Sequence, residues 1–193
     1  AKMQAKVAKT DDKSCSEQPH FGYAGAAAVS AAALAGEAAL LGDVFGNDLN
    51  PSLVDGRDYK DEAGCQAAVS KSYEKLLAAK LSAFTKCVKG GLKAESITST
   101  SSLEGCFAHV AADPKGKVAK ARANLEKQRT GKCKALSIGG VLDGACSGLS
   151  NPMIVDCVEG RVDCRACQIL QGMGDLRLSC DLWDDGVDNA SCQ

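Results

Sequence analysis

Residues 61–90 read DEAGCQAAVSKSYEKLLAAKLSAFTKCVKG, which is the clearest helical pattern in the chain. Tyr73, Leu77 and Phe84 recur at helical spacing, and lysines occupy many of the polar positions between the apolar ones. The pattern predicts an amphipathic helix. The helix is expected to end at the glycine pair 90–91, since glycine commonly follows the last turn of a helix.

A second helical arm follows this one along the chain. Residues 98–112 predict a short helix, with Ser101 or Ser102 as the capping residue. Pro114 is then expected to open a longer helix that ends near Cys133, because proline suits the first turn of a helix.

Together, residues 61–133 predict a helical hairpin with cysteines at both ends. Cys65 and Cys87 are 22 residues apart, which is close to six helical turns, so they share one face. If the arms run antiparallel, Cys87 lies near Cys106 at the closed end. Cys65 then meets Cys133 at the open end, and disulfides Cys65–Cys133 and Cys87–Cys106 are expected.

The rest of the chain shows no pattern typical of a strand. Further helices are expected over residues 1–15, 25–46 and 152–170, and loops over residues 47–59, 134–151 and the acidic tail 180–192. The predicted fold class is mainly α, a disulfide-stapled helical bundle with a central antiparallel hairpin and a cysteine-rich C-terminal subdomain. The predicted divisions are an N-terminal helical arm (1–20), a helical domain with the stapled hairpin (21–133) and the C-terminal subdomain (134–193).

Cysteine is the most informative residue type in this 193-residue chain. The cysteines are Cys15, Cys65, Cys87, Cys106, Cys133, Cys146, Cys157, Cys164, Cys167, Cys180 and Cys192. Eleven cysteines with only two histidines favour structural disulfides in an oxidising compartment over metal or redox chemistry. An odd number leaves one thiol that is free or pairs with another chain.

The Cys164-Arg-Ala-Cys167 motif admits other interpretations, namely a redox pair or half of a zinc site. No second such motif, histidine pair or strand–helix alternation accompanies it, so structural disulfides are favoured. Cys157, Cys164 and Cys167 also fall on roughly one helix face, where thiolates could bind a soft metal such as Cu(I).

The acidic tail partly resembles a calcium-binding loop. Asp181, Asp185 and Asp188 are the candidate ligands, but Trp183 and Cys192 occupy positions where an EF-hand needs oxygen ligands. No other cofactor is expected. The same tail carries an N-glycosylation sequon at residues 189–191.

Several function classes are disfavoured by composition. The net charge of −1 argues against a general nucleic-acid binder. No run of 18 apolar residues predicts a membrane span, although the Ala-rich stretch 24–41 comes closest. No signal peptide is recognisable, so any targeting segment is expected to have been removed. His20 and His109 have no nucleophile or carboxylate beside them in the sequence, and no catalytic centre is predicted.

Motifs spread over most of the chain carry a family resemblance. They are Phe21-Gly22-Tyr23, Phe45-Gly46 with Asp48-Leu49, Cys65-Gln66, Phe84-Thr85-Lys86-Cys87, Asp113-Pro114-Lys115-Gly116-Lys117, Cys164-Arg-Ala-Cys167, Cys180-Asp181-Leu182-Trp183-Asp184-Asp185-Gly186 and Ser191-Cys192. The chain resembles a cysteine-rich domain found in predicted secreted proteins of bacteria. The resemblance implies export, and it places ten cysteines, Cys65 to Cys192, within one unit that excludes Cys15.

These observations predict a structural or interaction protein of the cell exterior or surface, such as a subunit of a fibre or surface assembly. Residues 1–15 look like one arm of an incomplete hairpin, and an isolated helix of this length needs a packing partner. We therefore expect this helix to pack largely outside its own domain, on a second copy or a neighbouring repeat, with Cys15 free or bridged between units. The alternative is an extracellular metal-binding module.

Overall fold

The computed structural model describes residues 2–14, 20–185, 187 and 192. All the regular secondary structure in these residues is helical, so the mainly-α prediction is confirmed. The helices are α1 (Lys2–Ser14), α2 (Ala26–Phe45), α3 (Leu49–Ser52), α4 (Lys60–Lys93), α5 (Thr100–Glu104), α6 (Cys106–Ala112), α7 (Lys117–Thr130), α8 (Asn151–Gly174) and α9 (Cys180–Asp185), with a 3₁₀ turn at Ile138–Gly140.

Helices α4 and α7 form the predicted hairpin. A disulfide joins Cys65 to Cys133 with a Cα–Cα distance of 5.0 Å, and a second joins Cys87 to Cys106 at 5.7 Å. These are the two pairs expected from the antiparallel arrangement. The apolar face of α4 is buried between the arms and the rest of the core, as its helical periodicity predicts.

Helix α4 does not end at Gly90, as the glycine pair suggested, but at Lys93. The chain folds back immediately afterwards, and the backbone amides of Ser96 and Ile97 donate to the carbonyl of Gly91. A Cβ atom on Gly91 would lie 2.5 Å from the Cδ1 atom of Ile97. Gly91 therefore makes room for the returning chain.

Helix α7 does not begin at Pro114, contrary to the sequence prediction, but at Lys117. Residues 113–116 form a turn, and Asp113 has a left-handed backbone with φ of 38°. The Asp113 carboxylate accepts hydrogen bonds from the backbone amides of Lys117 and Ala119, both at 2.9 Å. The Asp113 side chain therefore satisfies free backbone amides in the first turn of α7, which is the role of an N-cap residue.

Helix α8 lies at the centre of the molecule and packs against α2, α4, α7 and α9. Its buried side chains Ile154, Val158 and Val162 belong to the same apolar cluster as Leu76 of α4 and Leu40 of α2. The segments on both sides of residue 133 therefore share one core. The predicted division there stays a prediction.

Helices α2 and α8 approach each other closely because glycines face the contact. A Cβ atom on Gly36 would lie 2.2 Å from the Cγ1 atom of Ile169, and one on Gly172 would lie 2.8 Å from the Cβ atom of Ala32. Small residues in α2 and α8 therefore allow the two helices to pack closely. By length and composition alone α2 could cross a membrane, with 28% of its most apolar window buried. The expected absence of a membrane span stays a prediction.

Helix α1 lies against α2 of its own chain. Val7 and Ala8 are half-buried, whereas the other described side chains of α1 are exposed. The expectation that α1 packs largely outside its own domain, on a second copy or a neighbouring repeat, stays a prediction. Cys15 lies outside the described residues.

Candidate functional site

The ten cysteines from Cys65 to Cys192 form five disulfides. The bridges are Cys65–Cys133, Cys87–Cys106, Cys146–Cys157, Cys164–Cys192 and Cys167–Cys180. Intramolecular disulfides of this number indicate an oxidising environment.

The disulfides exclude the soft-metal site that the sequence allowed on α8. Cys157, Cys164 and Cys167 each bond to a cysteine of another segment, and a sulfur in a disulfide is not a thiolate ligand. Cys164 and Cys167 do not bond to each other either. The structure thus places the Cys-x-x-Cys motif in two separate structural bridges.

The calcium site depends on residues that lie mostly outside the described part of the chain. The side chain of Asp185, Asp188 and the sequon at residues 189–191 fall there. One carboxylate oxygen of Asp181 accepts a hydrogen bond from the backbone amide of Cys192 at 3.0 Å. In the described residues no group of three or more His, Cys, Asp or Glu side chains is arranged to hold a metal ion. Calcium binding stays a prediction.

A hollow in the described structure lies at the closed end of the hairpin. It has a volume of about 610 Å³, and its wall includes the Cys87–Cys106 disulfide and Ile97. Ala79 and Ala83 leave the space open on the α4 side, since their side chains are short. We call this hollow the hairpin cavity.

Lysines surround the hairpin cavity. Lys86 reaches it from α4, while Lys115 and Lys117 come from the start of the second arm. Within the described part of the chain, no carboxylate forms an ion pair with any of the three. The positive charge of Lys117 is the main cause that lowers the pKa of Lys86, and desolvation and the charge of Lys115 lower it further.

Among the described residues, Asp113 is the only carboxylate that lines the hairpin cavity. The hydrogen bond from the amide of Ala119 is the main cause that lowers its pKa. Burial opposes this shift, whereas the amides of Val118 and Lys117 and the charge of Lys80 lower the pKa further. Because the carboxylate is held at the start of α7, it does not form an ion pair with the lysine side chains around the cavity.

A second, shallower hollow of about 400 Å³ runs between α4 and α7. It shares Lys86 and Lys117 with the hairpin cavity and adds Lys75 and Lys120. The Lys86–Lys117 pair therefore lies where two hollows meet. His109 also lines the hairpin cavity, whereas His20 is an exposed loop residue elsewhere.

The net charge of the whole chain does not reveal this lysine cluster, because basic and acidic segments cancel. Residues 115–134 contain eight Lys and Arg and one Glu, a net charge of +7. Residues 37–62 contain seven Asp and Glu and two Lys and Arg, a net charge of −5. A count in short windows would have found both segments within a chain whose total charge is −1.

Comparison of the chain with protein-family models, with curated proteins and with solved structures found no match. The resemblance to a cysteine-rich secreted domain therefore stays an expectation.

Proposed function

We propose that this chain is a structural or interaction protein of the cell exterior, in which copies associate through surfaces of opposite charge. The observation that carries the proposal is the separation of charge between two segments. We call residues 115–134, with net charge +7, the basic ridge, and residues 37–62, with net charge −5, the acidic flank.

Most of the charge on the basic ridge is available to a partner. Its six lysines are exposed: Lys115, Lys117, Lys120, Lys127, Lys132 and Lys134. Its two arginines are already used, since Arg122 pairs with Asp156 and Glu159 and Arg129 pairs with Glu126.

The acidic flank is similarly open. Asp48, Asp58 and Asp61 are exposed, and the salt bridges among the described residues do not include them. A ridge on one copy can therefore meet a flank on the next. Such a heterologous contact repeats into a ring or a filament, depending on whether its rotation closes.

The disulfides support both the location and the role. Five bridges fix the helices in place outside a reducing compartment, and a rigid scaffold avoids much of the ordering cost of association.

Sedimentation velocity at low and high salt tests the proposal. Association is expected at about 20 mM salt and should weaken at least tenfold at about 500 mM, where the Debye length is only a few Å. Reversing three ridge charges (Lys120→Glu, Lys127→Glu, Lys132→Glu) should abolish self-association. Reversing three flank charges (Asp48→Lys, Asp58→Lys, Asp61→Lys) should do the same.

An equimolar mixture of these two variants should associate again. The variant with the reversed ridge keeps the native acidic flank, and this flank can bind the native basic ridge of the other variant. A protein that stays monomeric at every salt concentration, or that associates equally well after charge reversal, contradicts the proposal. Metal analysis of the native protein tests the alternative, a calcium-binding module.

A further inference from the structure

We infer that the hairpin cavity binds an anionic amphiphile, a small ligand with an apolar body and a single anionic headgroup. The volume of about 610 Å³ is within the range of small-molecule sites, which is roughly 300–1,000 Å³.

The interior of the cavity suits an apolar body. Ala79, Ala83 and Ile97 line it together with the Cys87–Cys106 disulfide, and these surfaces offer few polar partners to water. Burial of a hydrocarbon body against them is favourable in proportion to the apolar area removed from water. The disulfide ties α4 directly to α6, so opposite walls of the cavity are held at a fixed separation.

The lysine pair suits an anionic headgroup. Lys86 and Lys117 line both hollows, so their ammonium groups share one region of the surface, where the charge of Lys117 acts on Lys86 and the two groups repel each other. An anion placed between them accepts a hydrogen bond from each and removes the repulsion, and such charge-assisted bonds are the stronger kind. Lys115 adds a third positive charge to the same opening.

The geometry sets the orientation of the ligand. The lysine pair lies where the hairpin cavity meets the shallower hollow lined by Lys75 and Lys120. A headgroup held there directs the apolar body towards Ile97 and the disulfide. The carboxylate of Asp113 is held by the amides of α7, so it does not occupy the headgroup position.

Titration calorimetry with decanoate tests this inference, using decanol, decylammonium and inorganic phosphate as comparison ligands. Decanoate is expected to bind one per chain and at least tenfold more tightly than each of the others, because only decanoate has both the apolar body and the negative charge.

The variant Lys86→Gln/Lys117→Gln should weaken decanoate binding about tenfold and leave decanol binding unchanged. Lys71→Gln/Lys93→Gln is the matched control, since both lysines are exposed on α4, outside both hollows and outside the basic ridge. It should bind decanoate as the native chain does.

Ala83→Phe fills the cavity and should weaken both decanoate and decanol. Methyl NMR on the native chain provides a readout that needs no variant, because decanoate should shift the Ile97 signals. The inference is overturned if decylammonium or phosphate binds as tightly as decanoate, if the control loses as much affinity as the lysine-pair variant, or if the Ile97 signals do not move. None of these measurements depends on self-association, since the ligand binds within one chain.

Discussion

Lys80 of α4 and Asp163 of α8 form an ion pair inside the protein, with side-chain exposures of only 8% and 12%. A charge moved out of water is costly unless an opposite charge accompanies it. The pair therefore favours the rotation of α4 that brings Lys80 to Asp163, since other rotations would separate these two buried charges.

Removing one member of this pair should destabilise the fold strongly. Lys80→Met is expected to lower the free energy of unfolding by about 3–5 kcal/mol, because the Asp163 carboxylate loses its ammonium in a buried position. Urea denaturation at neutral pH measures the change. The double variant Lys80→Met/Asp163→Leu should regain most of the loss, because it leaves neither charge in the interior.

The exposed pair of Arg57 and Asp55 provides the control. Their side-chain exposures are 88% and 42%, so Arg57→Met should change stability far less than Lys80→Met. Equal effects of these two substitutions would contradict a special role for burial of the Lys80–Asp163 pair.

Two glycines should respond in opposite ways to alanine. Gly36→Ala is expected to destabilise the protein by about 1–3 kcal/mol, since its Cβ would overlap the buried side chain of Ile169. Gly160→Ala should stabilise it by about 0.5–1 kcal/mol, because Gly160 lies inside α8 with nothing within 4 Å of the added atom.

Thermal unfolding of both variants measures these effects. If Gly36→Ala were as stable as Gly160→Ala, the close packing of α2 on α8 would not depend on the missing side chain at position 36.

The hairpin could be predicted from the sequence because its determinants are local. Apolar residues at helical spacing specify α4, and two cysteines at a whole number of turns specify which side of α4 carries the bridges. The pairs Cys65–Cys133 and Cys87–Cys106 then follow from one assumption, that the arms are antiparallel.

The helix ends could not be predicted in the same way, because tertiary contacts decide them. Gly91 lies within α4, where its missing side chain makes room for Ile97. The Asp113 carboxylate accepts a hydrogen bond from the amide of Lys117, where α7 begins three residues after Pro114. Neither contact leaves a local signal strong enough to compete with the preferences of glycine and proline.

The C-terminal disulfides and the hairpin cavity could not be predicted from the sequence either. Cys164 and Cys167 lie on one helix, and either could reach Cys180 or Cys192 until the path of the tail is known. Likewise the neighbouring positions of Lys86 and Lys117 appear only when the two arms are brought together. Charge counted in short windows would have indicated a basic ridge, but not a cavity.

The disulfides should contribute according to the length of chain they close. Removing Cys65–Cys133, which spans 68 residues, is expected to cost about 4 kcal/mol. Removing Cys146–Cys157, which spans 11 residues, should cost about 3 kcal/mol. Paired cysteine-to-alanine variants and urea denaturation measure both values, and the reverse order would show that packing rather than chain entropy dominates.

Reduction of all five bridges should lower the melting temperature sharply.

Asp113 should make the start of α7 sensitive to acid. The amide of Ala119 and its neighbours lower the pKa of this carboxyl below the ordinary value of 3.8. Its contribution to stability is therefore complete above that ordinary value and is lost as the pH falls through the lowered one. Asp113→Ala should cost about 1 kcal/mol at neutral pH, the usual effect of losing a cap.

Asp113→Asn separates the hydrogen bond from the charge, since asparagine keeps an acceptor and tolerates the left-handed backbone at this position. The difference in stability between the native chain and Asp113→Asn should shrink as the pH is lowered, in urea denaturation across the acid range. A difference that stays constant with pH would exclude titration of this carboxyl as its source.

Lys86 should titrate below an ordinary lysine, because Lys117 is the main cause of its lowered pKa. The folded chain then holds this proton less tightly than the unfolded chain does. Repulsion between the two lysines consequently weakens the folded state at neutral pH, and stability is recovered as the pH rises through the lowered pKa towards 10.5. NMR of the lysine Cε atoms measures the titration. Lys117→Gln should raise the pKa of Lys86, and Lys115→Gln should raise it less. If Lys86 titrates as an ordinary lysine in the native chain, the two ammonium groups are not neighbours.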